Sequence, residues 1–112
     1  MAEPKKPARE QLLRIERSER DGATHLELVG ELDLSTIDPL KLRLELVEKE
    51  EPAVMVVDLR RVTFMDSMGL GILLSHRLQA KQAGRRFVLV EGPEQVQKVF
   101  DITGVREHFE WA

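Results

Sequence analysis

Cysteine is absent from this 112-residue chain. That excludes disulfides, a thiol nucleophile and a thiolate metal site. No apolar run approaches the length of a membrane span, so membrane insertion is not expected. Positive charge is not in excess. Charged residues make up 33% of the chain, but the formal net charge is −3. No basic face is implied, and nucleic-acid binding has little support. Histidine is confined to His25, His76 and His108. No two of these have ligand spacing, so no metal is expected. The first ten residues hold no apolar signal region. Their prolines and charges read as a flexible lead-in over 1–10, followed by one domain over 11–112 with room for a modest core. The simplest compartment is the cytoplasm. No internal repeat or low-complexity stretch is present.

The periodicity of what remains is that of an α/β chain. Leu13 and Ile15 alternate with Arg14 and Glu16, which predicts a strand. Asp21-Gly22 is a turn signal, and His25 to Gly30 follow with period two, so an N-terminal hairpin is expected. Asp38-Pro39 reads as a helix N-cap followed by proline at the first helical position. Leu40 to Leu46 alternate strictly, as a strand would, yet Leu40, Leu44 and Val47 also fit one helical face. The Asp-Pro start and the high helix propensities favour a helix. Leu42 and Leu46 then fall on a second side. They are expected to pack on the domain's own loops, with a partner surface as the alternative.

Ala53 to Asp58 read as a strand covered on both faces, Leu59 to Met65 as a connection, and Leu70, Leu73, Leu74 and Leu78 as a helix. Gly84 ends that helix. Phe87 to Val90 form another buried run. Gly92-Pro93 opens a third helix, with Val96, Val99 and Phe100 on one face and Gly104 at its end. Phe109 and Trp111 anchor the tail by burial. Strands alternating with helices after a hairpin imply an α/β layer fold with a mixed sheet. Asp33, Asp58 and Ser67 all follow predicted strands, so loops at one sheet edge could gather them.

The most informative stretch is Asp66-Ser67-Met68-Gly69-Leu70-Gly71. Ser67 is expected at or next to a helix N-cap, near unpaired N–H groups. One reading is that it only caps the helix. The other is that the place accepts an added negative charge. A nucleophile elbow would need glycine where Met65 stands. His76 is nine residues along the same helix, about 13 Å away by rise alone. No catalytic residue is therefore assigned. Gly69 and Gly71 lack the third glycine of a dinucleotide fingerprint. Two glycines in one turn suggest either close packing on the sheet or access for another molecule to Ser67, and both readings stay open. Asp33 and Asp66 are turn or capping acids on one reading and ring the serine on the other. The pairs Arg60-Arg61 and Arg85-Arg86 read as solvated surface.

Val56-Val57-Asp58-Leu59 followed by Val62-Thr63-Phe64-Met65-Asp66-Ser67-Met68-Gly69-Leu70-Gly71 resembles the signature of STAS domains, and more narrowly of bacterial anti-sigma-factor antagonists. Val29-Gly30-Glu31-Leu32-Asp33 is similar to the family's other recurrent segment. The resemblance covers roughly residues 11 to 111. It implies a single STAS-type domain that is not an enzyme and needs no cofactor. Its unphosphorylated form would bind an anti-sigma factor that is also a serine kinase, with ATP held by that partner, and so release a sigma factor. Phosphorylation of Ser67 would end the binding, and a serine phosphatase would restore it. Asp33, Asp66, Met68, Gly69, Leu70 and Gly71 would meet the partner. Met68 stands where the family has a small residue. A regulatory subunit of a stress-sensing assembly or of an ABC-type transporter is possible within the same fold. A receiver domain phosphorylated on Asp58 is the reading from a different class. It lacks an acidic pair after the first strand and a lysine after a late one.

Overall fold

The computed structural model describes residues 12–112; the expected flexible segment over 1–10 lies outside them. The first contact of the fold is the predicted hairpin. Strands β1 (Leu13–Arg20) and β2 (Ala23–Leu32) pair antiparallel, with Arg20 opposite Ala23. The two-residue loop between them, Asp21-Gly22, has positive φ at both positions, 53° and 77°. That is the backbone whose twist matches the flanking strands, and Asp-Gly is a pair that tolerates it.

Beyond the hairpin the order is α1 (Ile37–Glu48), β3 (Val54–Met65), α2 (Ser67–Gln82), β4 (Arg86–Val90), α3 (Glu94–Thr103), a 3-10 turn (Arg106–His108) and β5 (Glu110–Trp111). The five strands lie in space in chain order, β1-β2-β3-β4-β5. All pairs after the first are parallel. Right-handed crossovers between neighbouring parallel strands put the three helices on one face of the sheet. The core lies there. Leu40, Leu44 and Val47 of α1, Leu70, Leu73 and Ala80 of α2, and Val96 and Phe100 of α3 pack against Leu26, Leu28, Val57 and Leu89. The opposite face carries a smaller cluster of Ala23, Val56 and Val88.

Strand β3 is twice as long as expected. The stretch Leu59–Met65 is not a connection but its second half. Pairing with β2 continues through two irregularities. Glu27 to Val29 on β2 span Asp58 to Arg61 on β3, and Gly30 to Glu31 span Val62 to Phe64. Each is a bulge with one extra residue on β3, and each flips the side-chain alternation. The inward residues therefore run Val57, Leu59, Val62, Met65, with steps of three after Leu59, and all four are buried. A period-two search cannot find such a strand.

Helix α1 confirms the helical reading of the ambiguous leucines, with a different start. Thr36, not Asp38, is the N-cap, and Leu40 N–H bonds to Thr36 O. Pro39 sits at the third helical position, where no intrahelical donor is required. Leu40, Leu44 and Val47 face the core, whereas Leu42 is 56% and Leu46 47% exposed. The expectation that these two leucines pack on the domain's own loops fails, since both side chains are exposed. In α2 the buried positions are Gly69, Leu70, Leu73, His76 and Ala80. Leu78, expected on that face, is 49% exposed.

Arg60, Arg61 and Arg86 are solvent-exposed, as expected of the arginine pairs, and each holds a carboxylate; Arg85 is the exception. Arg60 binds Asp58, Arg61 binds Glu27, and Arg86 binds Glu110. Arg85, just before β4, forms a largely buried ion pair with Glu48 at the end of α1. The tail is anchored as expected and also adds a strand: β5 pairs with β4. Trp111 stacks edge-on to Phe100 at 5.0 Å and donates from Nε1 to Arg106 O.

Candidate functional site

Ser67 is the first residue of α2, not its N-cap. The cap is Asp66, in extended backbone conformation. Its Oδ1 accepts from the N–H groups of Met68 at 2.9 Å and Gly69 at 3.1 Å. Ser67 is exposed, and its hydroxyl makes no hydrogen bond to any described residue. The serine is thus a bare hydroxyl at the positive end of a helix whose next two donors are already taken.

Asp66 also reaches across the edge of the sheet. Its Oδ2 accepts from Leu34 N–H at 3.3 Å, and its own N–H donates to Leu32 O at 3.1 Å. The end of β2 and the start of α2 are thereby joined. Asp33 shapes the turn after β2. Its Oδ1 accepts from both N–H and hydroxyl of Ser35, an Asx-turn pattern. Buried Thr36 closes that turn: its hydroxyl donates to Glu31 O and accepts from Asp33 N–H.

The two loops enclose a shallow cleft of about 390 Å3 lined by Asp33, Leu34, Ser35, Phe64 and Asp66. Three apolar side chains stand exposed around it: Leu34 at 69%, Phe64 at 49% and Met68 at 47%. Two carboxylates, a free hydroxyl and an apolar rim therefore share one edge of the sheet. Such a surface suits recognition by another protein.

The expected site residues separate into two groups. Asp33, Asp66, Ser67, Met68 and exposed Gly71 share the edge. Leu70 does not; it is 3% exposed and belongs to the core. Gly69 is buried as well. A Cβ there would lie 2.6 Å from Leu32 O, so the glycine is what lets α2 press onto β2. Around Gly71 the same test meets nothing within 4 Å. Of the two readings of the glycine pair, close packing holds for Gly69 only. Leu34 and Phe64 escaped the sequence reading. Phe64 points outward because of the second bulge, a feature without a periodic signal.

Asp58 is not gathered into this site. It lies in the middle of β3, 4% exposed. Arg60 contacts both of its oxygens, with Nη2 at 2.6 Å. Burial alone would raise the Asp58 pKa. The Arg60 hydrogen bonds outweigh burial and leave it below the usual carboxylate value. An aspartate locked in that way is a poor phosphoacceptor, which removes the main support for a receiver. Among the described residues no cluster of His, Cys, Asp and Glu could hold a metal ion. No helix among them is long and apolar enough to cross a membrane.

Comparison with known proteins agrees with this geometry. The STAS domain model matches residues 14–112. The anti-sigma-B factor antagonist of Listeria monocytogenes is 33% identical over 98 residues, covering 86% of this chain and 85% of that protein. An anti-sigma factor antagonist from Mycobacterium paratuberculosis superposes with a TM-score of 0.81 at 24% identity, covering 88% of this chain and 84% of the other. The Bacillus cell fate determinant SpoIIAA in its phosphorylated form superposes with a TM-score of 0.66 at 21% identity, covering 89% and 90%.

Proposed function

The chain belongs to the STAS-domain family, among its anti-sigma-factor antagonists, and from that premise we propose that Ser67 is the switch of a partner-binding surface. The unphosphorylated protein binds an anti-sigma factor that is also a serine kinase, in the cytoplasm, and a sigma factor is released. The partner holds the ATP. Transfer of its phosphate to Ser67 ends the binding, and a serine phosphatase reverses the step. The chain itself catalyses nothing.

The observation that carries this reading is the free Ser67 hydroxyl at an exposed helix start, beside Asp66 and within an apolar rim. A phosphate on Ser67 adds a charge of about −1.5 to −2. The N–H groups of Met68 and Gly69 that would welcome it are occupied by Asp66. The new charge therefore stays at the surface, next to a carboxylate. It faces whatever docks there, and against a partner's own nucleotide phosphates it repels. Asp33, Asp66, Met68, Leu34 and Phe64 form the contact surface, with Gly71 leaving its edge low.

The test is to incubate the protein with its kinase and labelled ATP, map the label, and titrate variants by calorimetry. Ser67→Ala should bind the kinase and accept no phosphate. Ser67→Asp should fold, because the helix dipole tolerates one more negative charge, and should bind more weakly. Label on another residue, or a phosphoprotein that binds as tightly as the free form, would sink the switch.

A further inference from the structure

Strand β1 is the outermost strand of the sheet, and among the described residues no strand pairs with its free side. The opposite edge, β5, is two residues long, and shortness of that kind guards an edge against further pairing. β1 has eight residues, with no proline, no glycine and no irregularity in its pairing with β2. Beside it lies a largely apolar groove of about 320 Å3 lined by Leu13, Arg14, Ile15, Pro39, Leu42 and Arg43. Leu46, four residues beyond Leu42 and so on the same side of α1, is exposed with it. Arg17 is tied to Glu50 by two hydrogen bonds of 2.6 and 2.8 Å, so α1 runs alongside β1 in the same direction.

We propose that this edge binds a second copy of the chain, β1 against β1 in antiparallel order, with Ile15 on the two-fold axis. The charges of β1 select that register. An axis perpendicular to the sheet sets residues equally far before and after it opposite one another. About Ile15, Arg14 of each copy meets Glu16 of the other, and Leu13 meets the apolar stem of Arg17. Arg14 and Glu16 already join within one strand at 2.8 Å, so the four side chains close into an alternating, neutral cluster. Moving the axis by one residue puts Arg14 opposite Arg14 or Glu16 opposite Glu16, and like charges directly opposite are destabilising. An axis at Ser18 also matches charges, Arg17 with Glu19 and Glu16 with Arg20, but it sets Ile15 opposite Asp21 and leaves the groove without an apolar counterpart. With Ile15 on the axis, the two α1 helices lie antiparallel on the same face of one continuous sheet. Leu42 of one copy then faces Leu46 of the other, and the exposed leucines cover one another. Ser67 stands at the end of β2 where Asp66 meets Leu32. The two β2 strands run in opposite directions, so the two Ser67 surfaces point away from each other and both stay open.

The experiment is sedimentation equilibrium of the full chain over roughly three decades of concentration. A dimer whose population rises with concentration is expected. Arg14→Glu brings like charges together and should weaken dimerisation about tenfold or more. The double exchange Arg14→Glu with Glu16→Arg should restore it. Leu42→Lys should weaken it to a similar extent while the thermal melt stays near that of the wild type, since Leu42 is exposed. The chain has no cysteine, so Ile15→Cys introduces a single thiol, on the axis, and should give a disulfide-linked dimer on mild oxidation, whereas Ser18→Cys should not. A monomer at every concentration overturns the proposal. So does a dimer that neither Arg14→Glu nor Leu42→Lys weakens, or one that cross-links through Ser18→Cys rather than Ile15→Cys. A monomer in which these substitutions weaken only the binding of the kinase partner would assign the face to that partner and overturn the proposal as well.

Discussion

Asp66 and Gly69 do more for the serine than Ser67 does for the helix. The carboxylate caps α2 and the glycine lets it sit against β2, so Ser67 is left without a structural duty. The two motif glycines should therefore respond oppositely to alanine. At Gly69 a methyl group meets the Leu32 carbonyl, and overpacking of that kind costs about 1–3 kcal/mol. At Gly71 it meets nothing, and the gain in helix propensity is about 0.5–1 kcal/mol. Urea unfolding of Gly69→Ala and Gly71→Ala checks both signs; equal effects would contradict the packing assigned to Gly69. The buried imidazole of His76 makes a second case. Burial lowers its pKa below the usual 6.5, with Glu45 acting weakly in the other direction and Lys41 with burial. The unfolded chain then takes up this proton before the folded one does. Stability is lost as pH falls from 6.5 towards the lower folded value. Between about pH 7.5 and pH 5 the wild type should lose ground to His76→Leu in unfolding free energy. Parallel profiles would show that His76 titrates normally.

At the scale of the element, α1 gives a direct contrast on one helix. Leu44 is fully buried and Leu42 is 56% exposed. Leu44→Ala should cost about 2–5 kcal/mol, and Leu42→Ala should stay within about 0.5 kcal/mol. Equal losses in urea would mean that the helix is rotated. How legible each element was in the sequence depended on whether its period was intact. The hairpin, α1's core face and the later strand and helices follow simple repeats or turn chemistry, and they were readable. β3 was readable only to Asp58, because two bulges replace its period of two by steps of three. Asp66, Ser67, Asp33 and Met68 could be placed at the site from the motif. Leu34 and Phe64 could not, since their exposure depends on the Asp33–Thr36 turn and on the second bulge. Thr36 was missed as the α1 cap because Asp-Pro offered a stronger local signal one residue inside the helix.

The whole molecule has one principal core, running without a break from α1 to the Phe100, Phe109 and Trp111 cluster. Trp111 is the only tryptophan and lies at the last strand, so it reports on the end of the chain farthest in sequence from the hairpin. Its fluorescence and the far-UV circular dichroism should show coincident thermal transitions, as one cooperative unit requires. An earlier fluorescence transition would mean that the tail detaches first. The match between spatial and chain order of the strands has a consequence for how the protein is made. Each strand pairs with one synthesised just before it, and no strand waits for a later one to fill a gap. A nascent chain leaving the ribosome can therefore lengthen its sheet one edge at a time. Each addition after the hairpin closes a crossover through a helix, as from Thr24 to Met55 and from Val54 to Arg86, so long-range parallel pairing dominates the folding barrier and leaves one strand edge open until the next strand arrives.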